Sequence, residues 1–331
     1  MGWRGLGIDL GTANTVVCQS RQGVILDEPS VMILPVGGRL KPVAVGHDAQ
    51  ELAGRVPVGL SAVRPFQDGV VGDLNVARTY ISTVLRRLGM RWWKRPKPQA
   101  VLCAPAGATA LERRALLEAA DEAGMGKVIL MPEPVAGAVG CGIDPMEPRA
   151  HMVVDIGGGT AEVSAFSYGG VVAERSSRLA GDEMTLAIYQ YLREQHHVVV
   201  DKLEAEEVKI RASSEDTPSL VVRGMDAATG RGRLLTIGVE EVVEAVRPVL
   251  DAIAQTLTAC LDDLPARAVS DVMDDGILAI GGGSMLAGFE KLMESAFGFS
   301  VRRAERPLTC VAEGASRSAL LPDVLAAYAA R

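Results

Sequence analysis

Two short stretches of the chain share one arrangement of an acid, small residues and a threonine. Near the N-terminus, Gly7-Ile8-Asp9-Leu10-Gly11-Thr12-Ala13-Asn14-Thr15 leads from an apolar strand into a turn without bulk, and far downstream Val154-Asp155-Ile156-Gly157-Gly158-Gly159-Thr160-Ala161 does so again. Such a turn exposes several backbone N–H groups unobstructed by side chains, which is what phosphate oxygens require. Gly11, Thr12, Ala13 and Asn14 from one turn, with Gly157, Gly158, Gly159 and Thr160 from the other, could hold one polyphosphate between them. Asp9 and Asp155, each just before its turn, could accept hydrogen bonds from waters on a magnesium ion bridging those phosphates. Either turn alone would equally suit a tight hairpin. It is the duplicate, with its acid at the equivalent place, that points to phosphate.

A third glycine run, Gly281-Gly282-Gly283, follows the apolar strand Ile277-Leu278-Ala279 and precedes Phe289, Leu292, Met293 and Phe297 at helical spacing. Strand, glycines and helix in that order let the backbone approach a ligand closely, here a nucleoside. Glu133-Pro134 closes another strand and opens a helix of small residues. A carboxylate there could orient an attacking water; complementing the helix dipole is the plainer alternative. Two of the three tryptophans, Trp92 and Trp93, stand in the basic, proline-ended stretch Arg91-Trp92-Trp93-Lys94-Arg95-Pro96-Lys97. Indole favours the lipid interface, and each cation would add about 1 kcal/mol toward an anionic leaflet. Covering a domain core is the other use for such a pair. The five cysteines and four histidines show no C-x-x-C pair and no ligand spacing, so reduced thiols are expected and structural zinc is not.

These residues need strands and helices to hold them. The duplication extends past the turns, since Gly23-Val24 matches Gly170-Val171, and its period is too long for a solenoid. Two similar α/β domains facing each other are expected. Between the copies, Thr109-Ala110-Leu111-Glu112 reads as a capping box, Leu111, Ala115, Leu116, Ala119 and Ala123 recur at helical spacing, and Gly124 supplies the stop. Strands Ala100–Ala104 and Lys127–Met131 flank that helix, a crossover that requires parallel strands. Further helices are expected over Asp73–Leu88, Asp182–Gln195 and Val239–Leu264, the last broken near Pro248.

Composition limits the partners. With 331 residues the chain suffices for about two domains. A hydrophobic share of 48% with only 36 Gly and 17 Pro excludes disorder as its main state. The balance of 34 basic against 41 acidic residues, a net charge of −7, has the wrong sign for a nucleic-acid protein. Uncharged runs such as Pro98–Leu111 and Gly276–Phe289 are too short to span a bilayer as a helix. The N-terminus runs straight into a strand-like stretch without an apolar signal core, so a cytoplasmic protein is expected.

The ordered set resembles the actin-like ATPase superfamily and, within it, the MreB family of bacterial actins. The resemblance is carried along nearly the whole chain by both acid-glycine turns, Asp27-Glu28-Pro29-Ser30-Val31, Glu112-Arg113-Arg114-Ala115, Glu133-Pro134, Gly181-Asp182-Glu183-Met184, Gly281-Gly282-Gly283 and Pro307-Leu308-Thr309-Cys310-Val311-Ala312. It implies an α/β, actin-like fold (a duplicated ribonuclease H-like fold) of two lobes, each with a subdomain, with ATP or ADP and Mg2+ in the interlobe cleft. It implies a slow ATPase coupled to polymerisation, and filaments beneath the membrane that guide cell-wall synthesis and cell shape. Carried over by position, Asp9 and Asp155 are similar to the magnesium-water acids, and Glu133 with Thr160 to the pair that positions the hydrolytic water. Glu206 and Lys209 resemble the Glu-x-x-Lys that contacts the nucleoside; without the resemblance they read as a solvated helix pair. Gly282 and Gly283 would close over the adenine. Trp92 and Trp93 fall where the family carries membrane-inserting residues. Implied partners are other copies of the chain, the anionic inner face of the cell membrane, and wall-elongation proteins such as MreC and RodZ. Ala161, Ala180, Thr185 and Glu313 depart from the family pattern.

On this reading one lobe covers residues 1–144, with a small subdomain about 31–64, and is completed by 311–331. The other covers 145–310, with a small subdomain about 182–235. Hinges are expected near Gly140-Cys141-Gly142 and Glu313-Gly314-Ala315. The alternative is a small-molecule kinase of the same superfamily, which would need a further acid at a sugar-sized pocket.

Overall fold

A computed structural model describes residues 5–38, 40–90, 99–213 and 218–329. Trp92 and Trp93 lie outside the described residues.

Two five-stranded sheets repeat one pairing pattern. In the first, β1 (Leu6–Leu10), β2 (Asn14–Gln19) and β3 (Gly23–Pro29) form an antiparallel meander, while β4 (Ala100–Ala104) and β5 (Val128–Pro132) extend it in parallel beyond β1. In the second, β6 (His151–Ile156), β7 (Ala161–Ser167) and β8 (Gly170–Ser177) form the meander, and β9 (Ile277–Ile280) and β10 (Val301–Arg303) extend it beyond β6. The sequence repeat is thus a repeat of topology. The parallel strands β4 and β9 are buried along their whole length, as unbroken apolar runs covered on both faces must be. Two three-stranded sheets stand apart, one from strands 44–45, 32–35 and 60–63, the other from 198–199, 219–226 and 232–238.

Local signals set the helices. Asp73 caps α1 (Leu74–Arg87) by accepting from Asn75 N–H at 2.8 Å. Thr109 and Glu112 form the capping box of α2 (Ala110–Glu122), and Gly124 ends it at φ +97°. The apolar periodicity of α2 is narrower than the sequence suggests. Leu111 is 77% exposed and the buried stripe begins a turn later at Leu116, Ala119 and Ala120. Pro248 restarts the long helical stretch, which divides into Val239–Ala245 and Arg247–Asp262.

Each sheet has its own core, and a third core joins them. It combines Val101 and Met131 of the first sheet, Val153, Leu278 and Ile280 of the second, and residues of two helices, α3 (Glu133–Gly140) and, near the C-terminus, Cys310–Ser318. These helices cross at glycines. A Cβ on Gly140 would fall 1.9 Å from the Cys310 carbonyl oxygen, and one on Gly314 would fall 1.7 Å from that of Ala136. Gly7 on β1 gives way similarly, since its Cβ would lie 2.3 Å from the Ala312 oxygen. Two of the small residues expected at hinge points, Gly140 and Gly314, allow this close approach. Arg317 closes the C-terminal end of α3 by donating to the carbonyls of Val139 at 3.1 Å and Gly140 at 2.7 Å. Glu313 is buried, held by Arg306 at 2.7 Å and by the Thr309 hydroxyl at 2.8 Å.

Gly314→Ala should force the crossing helices apart and lower the thermal midpoint by several degrees, as overpacking of about 1–3 kcal/mol does. Gly232→Ala, where an added Cβ meets nothing within 4 Å, should leave it unchanged in the same scanning-calorimetry series.

Candidate functional site

The first strands of the two meanders, β1 and β6, carry Asp9 and Asp155 near their C-terminal ends, and the two glycine turns follow. In the first turn a Cβ on Gly11 would stand 2.8 Å from the Asn14 carbonyl oxygen, so the tight return to β2 needs glycine. In the second, the Gly157 N–H donates to the Thr160 oxygen at 2.8 Å. The turns meet across the two lobes, where a Cβ on Gly158 would lie 3.0 Å from that of Ala13. The start of α4 (Gly181–Gln195) is pinned behind the second turn. Gly181 N–H donates to Gly157 O at 3.1 Å, and Asp182 N–H to Gly158 O at 2.7 Å.

One cavity opens between these elements. Its walls include Asp9, Gly11, Thr12, Ala13, Asn14, Asp155, Gly157, Gly158, Glu206, Lys209, Gly282 and Gly283. The third glycine run forms a 3-10 turn over 282–285, preceded by Gly281 at φ +78°, where a Cβ would fall 2.4 Å from Asp155 Oδ1. Met184, Ile210, Met285, Leu286, Pro307 and Leu308 add an apolar lining suited to a flat heterocycle. Three residues of the sequence-derived set stand outside these walls. Gly159 packs against Asp68, Thr160 is buried behind its turn, and Glu133 opens α3.

Glu206 and Lys209 are not a solvated pair. On α5 (Lys202–Arg211) they bridge at 2.7 Å, and Lys209 Nζ also donates to the Gly181 carbonyl at 2.8 Å and to Thr185 Oγ1 at 3.0 Å. Thr185, which departs from the family pattern, donates its hydroxyl proton to Glu206 and so braces that wall from behind.

Acids dominate the site's electrostatics. Burial, reinforced by Asp27, pushes the Asp9 carboxyl up to about 7. Burial, then the charge of Asp9, does the same to Asp155. Glu133 is raised well above the carboxylate range by burial and by Asp9, Glu162 and Asp155. Among the described residues no ion pair reaches Asp9 or Asp155, and no group of three or more His, Cys, Asp or Glu is placed to hold a metal directly. Two uncompensated carboxylates beside a cradle of backbone amides suit a hydrated divalent cation carried on a polyphosphate. The residues present therefore fit a magnesium nucleotide.

Sequence reasoning missed the ties across the cleft. The hairpin of Phe66–Gln67 and Val70–Val71 places its tip against both glycine turns: the Gly69 N–H donates to Thr12 Oγ1 at 2.8 Å, and a Cβ on Gly159 would meet Asp68 Cα at 2.7 Å. Arg64 donates to both carboxylate oxygens of Asp182 at 3.0 Å. Asp68-Gly69, both at positive φ, was the available signal. Glu162, a charged residue inside the buried run of β7, was another.

Comparison with known proteins agrees with this geometry. A family model described as MreB/Mbl protein matches residues 4–324. The chain is 37% identical over 326 residues to the cell shape-determining protein MreB of Escherichia coli (strain K12), covering 96% of this chain and 94% of that one. It is similar to the crystal structure of MreB5 of Spiroplasma citri bound to ADP, with TM-score 0.89 and 29% identity over 96% of each chain, and to the same protein bound to AMPPNP at TM-score 0.86 and 30% identity over 93% of each chain. A MamK double helical filament, 23% identical over 95% of this chain and 98% of that one, shares the fold at TM-score 0.79.

The raised carboxyls predict a pH dependence. With Asp9 and Asp155 near 7 in the fold against an ordinary 3.8, the folded state keeps protons that the unfolded chain releases. That contribution is complete below about pH 4 and is lost as pH rises through 7. The thermal midpoint of the nucleotide-free protein should thus fall between pH 6 and 8. Asp155→Asn, which cannot ionise, should melt above the parent at pH 8; a lower midpoint would remove carboxylate repulsion from the site.

Proposed function

Because the chain belongs to the MreB/Mbl family, we propose that it is an ATP-dependent, filament-forming bacterial actin homologue that organises cell-wall synthesis and cell shape from the inner face of the cell membrane. The observation that carries this reading is the meeting of the two glycine turns across the lobes, with an acid behind each. Backbone amides of Gly11–Asn14 and Gly157–Thr160 would hold the triphosphate from its two sides. Asp9 and Asp155 would hold magnesium through its waters. When bound, the cation supplies neutralisation of the phosphate charge. The Glu206–Lys209 pair would face the nucleoside, and Gly282 with Gly283 would close over the base.

Glu133 would orient and deprotonate the attacking water, with Thr160 beside it, and the buried position suits a general base whose proton affinity is already raised. Hydrolysis would be slow and tied to polymerisation, because filament contacts would complete the closure of the lobes. The lobes on this reading are 1–144 with 311–331, and 145–310; the two separate three-stranded sheets support the assignment of small subdomains to each. Trp92 and Trp93 would anchor each subunit to an anionic leaflet, weakly alone and strongly when a filament aligns many copies. Wall-elongation membrane proteins such as MreC and RodZ are the partners this role requires. The small-molecule kinase alternative is not favoured by membership of a cell shape-determining family.

Glu133→Ala should bind a fluorescent ATP analogue like the parent yet release phosphate at least about 100-fold more slowly; equal turnover would take Glu133 out of the reaction. Replacing Trp92 and Trp93 together by Ala should abolish co-pelleting of filaments with anionic liposomes, and unchanged pelleting would return the indoles to a packing role.

A further inference from the structure

Glu162 has no exposed surface, yet it faces no lysine or arginine among the described residues. It lies on β7, directly opposite Asp155 across the antiparallel pair and two residues beyond Thr160. Its carboxylate is satisfied from the other lobe. Oε2 accepts from the Ala106 N–H at 2.8 Å and Oε1 from the Gly107 N–H at 3.3 Å, with Ser176 Oγ on β8 at 3.5 Å.

Ala106 and Gly107 belong to the turn between β4 and the capped start of α2, so the donors are fixed by the first sheet and the acceptor by the second. Gly107 permits the approach, because a Cβ there would already lie 3.0 Å from that of Ser176. A carboxylate in a dry interior is tolerated only while charge-assisted hydrogen bonds hold it. Rotating the lobes apart would strip both amides from Glu162 and leave its charge to be met by water or a proton instead. The contact therefore favours the lobe angle at which both amides reach the carboxylate.

We propose that Glu162 is an interlobe latch: by gripping the Ala106 and Gly107 amides it fixes the lobe angle at which Asp155 and Thr160 stand correctly for ATP hydrolysis. Glu162 is a positioning residue, acting through its neighbours on β6 and β7. The proposal rests on the nucleotide-cleft reading, which can fail separately.

The test is Glu162→Gln in the full chain, read in two ways. Hydrogen exchange of the segment around Ala106 and Gly107 in nucleotide-free protein should quicken about tenfold, since the amide keeps one acceptor and turns a donor toward the other N–H. In steady state kcat should fall about tenfold or more while KM stays within about twofold, as expected when alignment rather than binding is lost. Gly107→Ala, which pries the same contact from the other lobe, should reproduce that split if Glu162→Gln does not fold. Unchanged exchange, or unchanged kcat in a folded variant, would overturn the latch. A parent that neither binds nor hydrolyses ATP would instead overturn the nucleotide reading, and the exchange result would still decide whether Glu162 grips the turn.

Discussion

The crossing of two helices at Gly140 and Gly314 is the constraint on which the rest of the molecule depends. Each sheet buries its own core, and nothing in either core fixes the distance between them. That distance is set where α3 and the Cys310–Ser318 helix pass between the sheets, with carbonyl oxygens where a Cβ on Gly140 or Gly314 would have to stand. Gly7 brings β1 against the same helix, and Arg317 ties the helix ends together. With the sheets so spaced, the ends of β1 and β6 face each other and the two glycine turns come into contact.

The cleft carries an electrostatic load that packing does not relieve. Asp9, Asp155 and Glu133 gather without a cationic side chain beside the first two, and the burial of their charges, reinforced by neighbouring carboxylates, opposes folding above neutral pH. Such an arrangement is sustained by what binds there, and stability given up at a site is a common accompaniment of function. The ties across the cleft, Asp68 against Gly159, Arg64 to Asp182 and Ala106 with Gly107 to Glu162, hold the lobes while the space between them stays open. Lobe position and site geometry are consequently linked through a few named contacts.

Much of this was legible in the amino-acid order because the determinants are local. The duplicated acid-glycine turns announced two copies of one topology, and the capping box at Thr109, the stop at Gly124 and the break at Pro248 placed helices within a residue or two. Leu111 misled because periodicity records which residues share a face, while burial depends on what that face packs against at each turn. Glu206 and Lys209 read as solvated on spacing alone, since their partners, Gly181 and Thr185, lie on another helix. Glu162 went unnoticed for a related reason: its donors are backbone amides, which carry no sequence signature. The apolar wall at Leu286, Pro307 and Leu308 is likewise assembled from distant segments.

The central claim is that one magnesium nucleotide bridging the duplicated turns drives assembly. Negative-stain electron microscopy of the purified chain, with Mg-ATP and again with ATP plus a chelator, tests it most directly. Filaments in the first condition and dispersed subunits in the second are the expected result. Dispersed subunits in both, with ATP shown to be bound, would contradict it.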